Sequence, residues 1–86
     1  MKISRPINDD GTVVIPKQAR ELLNISPDDA IEVEISREDK TVHELKKVPA
    51  NGRIYLPEKL RKELNAKEGD VVTLNIKKIP KKKERR

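Results

Sequence analysis

The sequence contains one pattern twice, with 41 residues between equivalent positions. The stretch GTVVIPKQARELLNISPDDAIEVEIS begins at Gly11, and GRIYLPEKLRKELNAKEGDVVTLNIK begins at Gly52. Because glycine, proline, asparagine and aspartate recur where the chain must turn, we expect both copies to fold in the same way. Aligned without a gap, the copies agree at Gly11/Gly52, Pro16/Pro57, Arg20/Arg61, Leu23/Leu64, Asn24/Asn65, Asp29/Asp70 and Ile35/Ile76.

Each copy carries the signals of two strands, a short helix and a third strand. The β-branched runs TVVI and RIYL predict strands, and each run is followed by a proline that suits the first turn of a helix. Alternating apolar residues then predict a strand with one buried face. The residues expected to face the core are Ala19, Leu22 and Leu23 in the first helix, Leu60 and Leu64 in the second, and Ile31, Val33, Ile35, Val72, Leu74 and Ile76 in the strands.

The order ββαβ, followed by ββαβ, explains why so short a chain repeats itself. A single unit would leave one sheet face and one helix face uncovered, whereas two units can cover each other about a pseudo-two-fold axis. We therefore predict a mainly β fold with two short helices, in which the repeats 1–41 and 42–79 close one small barrel domain. Residues 80–86 are predicted to form a basic disordered tail.

The positive charge lies mainly in the second half of the chain. Residues 1–40 hold 6 Lys/Arg and 9 Asp/Glu, whereas residues 41–86 hold 14 Lys/Arg and 6 Asp/Glu. This asymmetry favours a polyanionic partner, such as nucleic acid or, less often, an anionic membrane face. Cysteine is absent, which excludes disulfides and thiolate metal sites. No apolar run is long enough to cross a membrane, so we expect a cytoplasmic protein.

The sequence offers little for catalysis or metal binding. His43 is the single histidine, and the pairs Asp9–Asp10 and Asp28–Asp29 are typical of turn capping. No nucleophile–base constellation, glycine-rich phosphate loop or paired-acid spacing is present. We therefore expect a protein that is not an enzyme and that uses no cofactor, metal or small-molecule substrate.

The segment DDGTVVIPKQARELLNISPDDAIEVEIS resembles the AbrB/SpoVT/MazE family of DNA-binding domains. The shared pattern is a glycine, an apolar triplet ending in proline, a short helix with arginine four residues after that proline, an acidic turn and an alternating strand. Family members usually carry one copy and form a dimeric swapped-hairpin barrel, so this chain resembles a fused version. Related cradle-loop barrels, including double-psi barrels, share the duplication, and the strand crossing pattern stays open between them.

This chain departs from the family pattern at two kinds of turn. The family commonly has glycine at the positions of Asn24 and Asn65, and the first copy has Pro27-Asp28 before its acidic turn residue where the second keeps Gly69. Because aspartate enters the left-handed region less easily than glycine, the first of these acidic turns is expected to differ in shape.

The resemblance implies DNA binding through basic residues on the first strand, after the turn glycine and on the helix. Asp9, Asp10 and Glu21 would repel phosphate from the first copy, so the second copy should dominate, with the tail adding nonspecific attraction. A structural alternative is that the helix arginines reach the acidic turns, and that the strand lysines only face solvent. The DNA-binding candidates are Arg5 and Arg20 in the first copy, and Lys46, Lys47, Arg53, Arg61 and Lys62 in the second.

The resemblance favours a transcription regulator or DNA-architectural protein with duplex DNA as its partner. Two alternatives stay open: a protein-interaction module, like related duplicated barrel N-domains, whose acidic half holds a partner, and the antitoxin of a toxin–antitoxin pair. Antitoxins of this family wrap the toxin with a C-terminal extension, and the short segment after the barrel makes that role less favoured. We expect a monomeric pseudo-dimer, with dimerisation of two barrels left open.

Overall fold

The computed structural model describes residues 1–79 as six strands and two short helices. The order ββαβ occurs twice, which confirms the predicted mainly β fold with two short helices. The predicted basic tail, residues 80–86, lies outside the described residues. The elements are β1 (Lys2–Pro6), β2 (Thr12–Val14), α1 (Lys17–Leu22), β3 (Ala30–Arg37), β4 (Lys40–Lys47), β5 (Arg53–Tyr55), α2 (Glu58–Glu63) and β6 (Val71–Lys78).

Every strand pairing within residues 1–79 joins the first ββαβ unit to the second. Four antiparallel strands lie in the order β1-β6-β3-β4, and β2 pairs with β5 in a separate ribbon. At the centre of the β3–β6 pairing Glu34 lies opposite Asn75, and at the centre of the ribbon Val13 lies opposite Ile54. In both cases a residue meets its own counterpart 41 positions later, as a two-fold axis between the repeats requires. Closure into a barrel, and the division of one domain at residues 41 and 42, stay predictions.

The core draws on both repeats, with Leu64 and Ala66 of the second repeat buried beyond the residues that the two repeats share. The predicted alternation in β3 and β6 is confirmed, because the inward residues of both strands are 2% exposed or less. Burial of each such side chain contributes about 1.5–3 kcal/mol to folding. Seven pairs of buried apolar residues occupy equivalent positions: Ile7/Val48, Val13/Ile54, Ile15/Leu56, Ala19/Leu60, Ile31/Val72, Val33/Leu74 and Ile35/Ile76.

One prediction for the core side of the first helix is wrong. Leu22 is 76% exposed, whereas Ala19 is buried and Leu23, at the C-cap, is partly buried against the core. A helix of six residues has room for a single narrow apolar stripe, and two adjacent leucines cannot both lie on it. In the second helix Leu60 and Leu64 are both buried, as predicted.

The turns keep the same shape in both repeats, including where the residues differ. Asn24 and Asn65 end the helices with φ of 58° and 54°, in the left-handed conformation that asparagine tolerates. Asp28 has φ of 71°, and its counterpart Gly69 has φ of 89°. The Asp28 N–H donates to Val48 O and the Gly69 N–H donates to Ile7 O, each at 2.8 Å. The expected difference in turn shape is therefore wrong, because aspartate tolerates the left-handed conformation here.

Ion pairs at the acidic turns also connect the repeats. Lys78 Nζ, at the end of β6, lies 3.5 Å from Oδ2 of the buried Asp29. Arg37 Nη2, at the end of β3, lies 3.5 Å from Asp70 Oδ2. Each third strand thus ends on the acidic turn of the opposite repeat, so these turns are fixed by strand-end cations.

Candidate nucleic-acid interface

The β2–β5 ribbon and the two loops that lead into it bring the repeats together at the candidate site. The Leu56 N–H donates to Gly11 O, and the Ile15 N–H donates to Gly52 O, each at 2.9 Å. Each turn glycine therefore lies against the residue that follows the opposite strand of the ribbon. A side chain in either loop is placed next to side chains of the other repeat.

Arg53, the first residue of β5, is exposed and lies beside the loop of the first repeat. Its Nη1 lies 3.3 Å from Thr12 Oγ1 and 3.5 Å from Asp10 Oδ2. The Asp10 carboxylate accepts the Thr12 hydroxyl at 2.6 Å and the Thr12 N–H at 3.1 Å. These Thr12 hydrogen bonds, and secondarily the charge of Arg53, hold the pKa of Asp10 below its usual value. Arg53 is therefore accessible, but an acidic neighbour shares its guanidinium.

Arg61 connects the second helix to the ribbon. Its Nε donates to Leu56 O at 2.8 Å, and its guanidinium lies 6.0 Å from the centre of the Tyr55 ring. Gly11 of the other repeat packs close by, since a Cβ built on it would lie 3.0 Å from Tyr55 Cε1 and 3.4 Å from Arg61 Nη2. The guanidinium is thus held in one place by a carbonyl and an aromatic ring.

Arg20 makes the equivalent contact in the first repeat. Its Nε donates to Ile15 O at 3.0 Å, and its Nη1 donates to Ala50 O at 2.9 Å in the loop before β5. Both helix arginines thus brace the fold through a strand-end carbonyl, whereas the structural alternative placed them at the acidic turns. Carbonyl acceptors leave no mark in a sequence, so spacing alone could not indicate this contact.

The strand candidates occupy different surroundings. Arg5 and Lys46 hold equivalent, partly buried positions on β1 and β4, on the side of each strand that faces inward. Lys46 Nζ lies 4.0 Å from Glu44, and Arg5 Nε is buried with no hydrogen-bond partner among residues 1–79. Lys47 is exposed. Within the described chain no hydrogen bond or ion pair links these three to the ribbon, so they are not part of the same cluster.

A shallow depression beside the end of α2 adds two further cations. Lys62 is 76% exposed at its side chain and pairs loosely with Glu58 at 3.8 Å. Arg61, Lys62 and Lys67 line the depression together with Asn65 and Ala66. The sequence prediction missed Lys67. Comparison of the two copies could have found it, because the first repeat has a neutral serine at the equivalent position.

The sequence prediction also missed Tyr55 and Thr12, which orient Arg61 and the Asp10–Arg53 pair. Neither residue type indicates nucleic-acid binding by itself, and their roles depend on contacts between the repeats.

Residues 1–79 contain no group of three histidine or acidic side chains arranged to hold a metal ion. His43 Nε2 lies 2.8 Å from Glu34 Oε2 on the exposed face of the sheet. No helix among the described residues is both long and apolar enough to span a membrane.

Comparisons with known proteins found two solved structures with a similar fold and one family model that matches the second repeat. A search of curated proteins returned no match to the sequence. The solution structure of PHS018 from Pyrococcus horikoshii is similar, with a TM-score of 0.78 and 22% identity over 93% of this chain and 95% of that chain. The crystal structure of the rationally designed apDPBB_sym_79 protein gives a TM-score of 0.55 and 22% identity, over 93% of this chain and all of that one. These likenesses concern the fold.

The family comparison concerns the second half of the chain. Residues 45–85 match the model of the antidote-toxin recognition family MazE, described as a bacterial antitoxin. The matched segment contains β5, α2 and β6, and therefore Arg53, Arg61, Lys62 and Lys67. The match supports a small regulatory or antitoxin-like protein. The resemblance to the AbrB/SpoVT/MazE family is thus confirmed over residues 45–85.

Proposed function

We propose that this protein binds duplex DNA, as a small regulator or architectural protein, mainly through its second repeat. One observation carries the proposal: the cations of the ribbon and of the adjoining depression belong mostly to that repeat. Arg53, Lys62 and Lys67 stand where the first repeat has Thr12, Glu21 and Ser26, and only Arg61 has a cationic counterpart, Arg20.

The arrangement suits a charged, extended partner. Exposed Lys62 can neutralise phosphate without losing an internal contact of any strength, because an exposed i,i+4 ion pair is weak. Arg53 and Arg61 present planar guanidinium groups, which bind phosphate or the guanine edge in a bidentate manner. Arg61 is already ordered by Leu56 and Tyr55, so little conformational freedom is lost when it binds.

The first repeat carries no cation at three of the four equivalent positions and an acid at one of them. Glu21 stands where the second repeat has Lys62, so phosphate that approached the first helix would be repelled. Electrostatic repulsion there, and attraction by the second repeat, favour a single docking orientation on an otherwise two-fold frame.

Titration of the purified protein into labelled duplexes of mixed sequence, at several salt concentrations, tests this function. With about five or six phosphates neutralised, the logarithm of the binding constant should fall against the logarithm of salt concentration with a slope of roughly −5. Fluorescence anisotropy measures this slope. An absence of binding in dilute buffer, or a slope near zero, would contradict DNA binding.

Toxin recognition is the second candidate, because the family that matches residues 45–85 is one of bacterial antitoxins. The two functions differ in salt dependence, because a toxin interface would not require a long row of phosphate contacts. If duplexes are not bound in dilute buffer, toxin recognition becomes the better supported function. We infer that the protein is not an enzyme in either case.

We further propose that one chain, with repeats 1–41 and 42–79, acts as a monomeric pseudo-dimer in a single domain. The strand pairings between the units support this arrangement. Light scattering should give a mass close to the 9.9 kDa of one chain. A mass of twice that value at micromolar concentration would contradict it.

A further inference from the structure

The contact between Asp10 and Arg53 crosses from one repeat to the other at the centre of the proposed site. Asp10 is fixed before any ligand arrives, because Thr12 donates to its carboxylate from both the hydroxyl and the main-chain N–H. The remaining oxygen, Oδ2, lies 3.5 Å from Arg53 Nη1. Thr12 Oγ1 also lies 3.3 Å from the same nitrogen. The guanidinium group of Arg53 is therefore held at a defined position on the protein surface.

The second repeat shows that the turn does not need the charge of Asp10. At the equivalent position Asn51 accepts the Arg53 N–H at 3.0 Å, just as Asp10 accepts the Thr12 N–H at 3.1 Å. A neutral amide therefore closes the same turn. The negative charge of Asp10 acts instead on Arg53, whose electrostatic attraction contributes to the lowered pKa of the carboxyl group.

We propose that Asp10 is a positioning residue that directs Arg53 toward base edges and away from phosphate. This inference rests on the proposed DNA-binding function. A phosphate bound to Arg53 would bring a second anion close to the fixed carboxylate, and the two would repel each other. The O6 and N7 atoms of guanine are uncharged acceptors, so a base edge meets much less of this repulsion. The pair therefore favours a contact that discriminates between sequences.

Within residues 1–79, the neighbouring cations have no fixed carboxylate beside them that would repel phosphate. Arg61 lies over the uncharged Tyr55 ring, and Lys62 has only the loose pair with Glu58. These two side chains can bind phosphate without repulsion from a fixed acid. The site thus separates two tasks: Arg61 and Lys62 hold the backbone, whereas Arg53 reads sequence.

Three variants of the full chain test the proposal. Asp10→Asn removes the charge and keeps the turn, as Asn51 demonstrates. Asp9→Asn removes the same charge from the same loop at a residue with no described contact to Arg53. Arg53→Lys keeps the positive charge and loses the planar fork.

Duplexes enriched from a random pool with the wild-type protein, and scrambled versions of them, serve as probes. We expect the wild type to prefer the enriched duplexes by about fivefold or more. In Asp10→Asn this preference should fall toward one, while binding of scrambled duplexes tightens and the salt slope steepens by about one unit. Asp9→Asn should keep the preference. Arg53→Lys should lose it with little change in slope.

Two failures are distinguishable. If Asp10→Asn keeps both the wild-type preference and the wild-type slope, or if Arg53→Lys keeps the preference, the role of Asp10 is overturned and DNA binding stands. A wild type that binds duplexes but shows no sequence preference also overturns it. If the wild type binds no duplex in dilute buffer, the proposed function fails and this inference fails with it.

Discussion

The two repeats have nearly the same main chain and very different surfaces. Their turns close with equivalent hydrogen bonds, their helices are braced by equivalent arginines, and their core residues fall at equivalent positions. The solvent-facing positions of the ribbon and helix diverge, with Thr12 against Arg53 and Glu21 against Lys62. The comparison teaches that contacts between the repeats constrain sequence, whereas exposed positions are free to specialise.

The equivalent helix arginines, Arg20 and Arg61, differ in how many of their N–H donors are bound to main-chain carbonyls. Arg20 gives its Nη1 to Ala50 O, so two of its donors are committed to main-chain carbonyls. Arg61 gives only Nε to a carbonyl and rests its guanidinium near Tyr55. Arg20 therefore stabilises the fold of the first repeat, whereas its counterpart Arg61 retains donors for a ligand in the second repeat.

The largest expected effect comes from separating the repeats. Within residues 1–41 only Lys40 and Thr41, at the start of β4, pair with another strand of that segment, and all the other described strand pairings cross to residues 42–79. A peptide of residues 1–41 should therefore be unfolded as a monomer, with a poorly dispersed amide NMR spectrum. A well-dispersed spectrum from the monomeric peptide would show that one repeat is sufficient.

Equivalent core positions should contribute equally to stability. Ile35 and Ile76 are both fully buried, so Ile35→Ala and Ile76→Ala should each lower the free energy of unfolding by about 2–5 kcal/mol. Urea denaturation of both variants measures this loss. Leu22→Ala is the control, since its exposed side chain should cost about 0.5 kcal/mol or less. A large loss in only one isoleucine variant would break the equivalence of the repeats.

The turn glycines should respond unequally to alanine. A Cβ on Gly52 would lie 2.7 Å from Ile15 O and 2.8 Å from Arg20 Nε, whereas on Gly11 the nearest atom is Tyr55 Cε1 at 3.0 Å. Both residues have positive φ, so either substitution should cost roughly 1–3 kcal/mol.

The loss should be greater for Gly52→Ala, because a main-chain carbonyl moves less easily than an exposed tyrosine ring. Thermal unfolding of the two variants decides the order. Equal losses would mean that backbone conformation alone sets the effect.

The smallest expected effect concerns the titration of Asp10, which has a neutral counterpart in Asn51. Its lowered pKa means that any stability it contributes is present above the usual carboxyl range and is lost as pH falls through the lowered pKa. Thr12→Val should raise the pKa of Asp10 more than Arg53→Thr does, because the Thr12 side-chain hydrogen bond is the larger cause. An NMR pH titration of the Asp10 carboxyl group measures both shifts, and the reverse order would contradict this assignment.

Much of the fold could be predicted because its signals are local. The β-branched runs, the prolines after them and the asparagines at the helix ends each act within a few residues, and the structure follows them. The exposure of Leu22 could not be predicted in this way, because Leu22 and Leu23 both lie at helical spacing from Ala19 and the pattern placed both in the core.

The candidate site was harder to predict, because its geometry depends on contacts between the repeats. The basic residues themselves were visible in the sequence. Their partners were not visible, because Asp10 meets Arg53 only after the two units pair. The same is true of Arg37 and Asp70, which lie outside the site. The cations Arg37 and Lys78 do lie 41 residues apart, so comparing the copies for charge could have revealed the strand-end ion pairs.

The central claim is that a protein built from two equivalent repeats binds DNA mainly through the second of them. Lys62→Glu and Lys17→Glu test it most directly, because each variant places in one repeat the residue that the other repeat has at the equivalent position. That residue is Glu21 for Lys62 and Glu58 for Lys17. Both change the net charge by the same amount at exposed helix positions. Anisotropy titrations at low salt should show about a tenfold loss of duplex affinity for Lys62→Glu and a much smaller loss for Lys17→Glu. Equal losses in the two variants would contradict the claim.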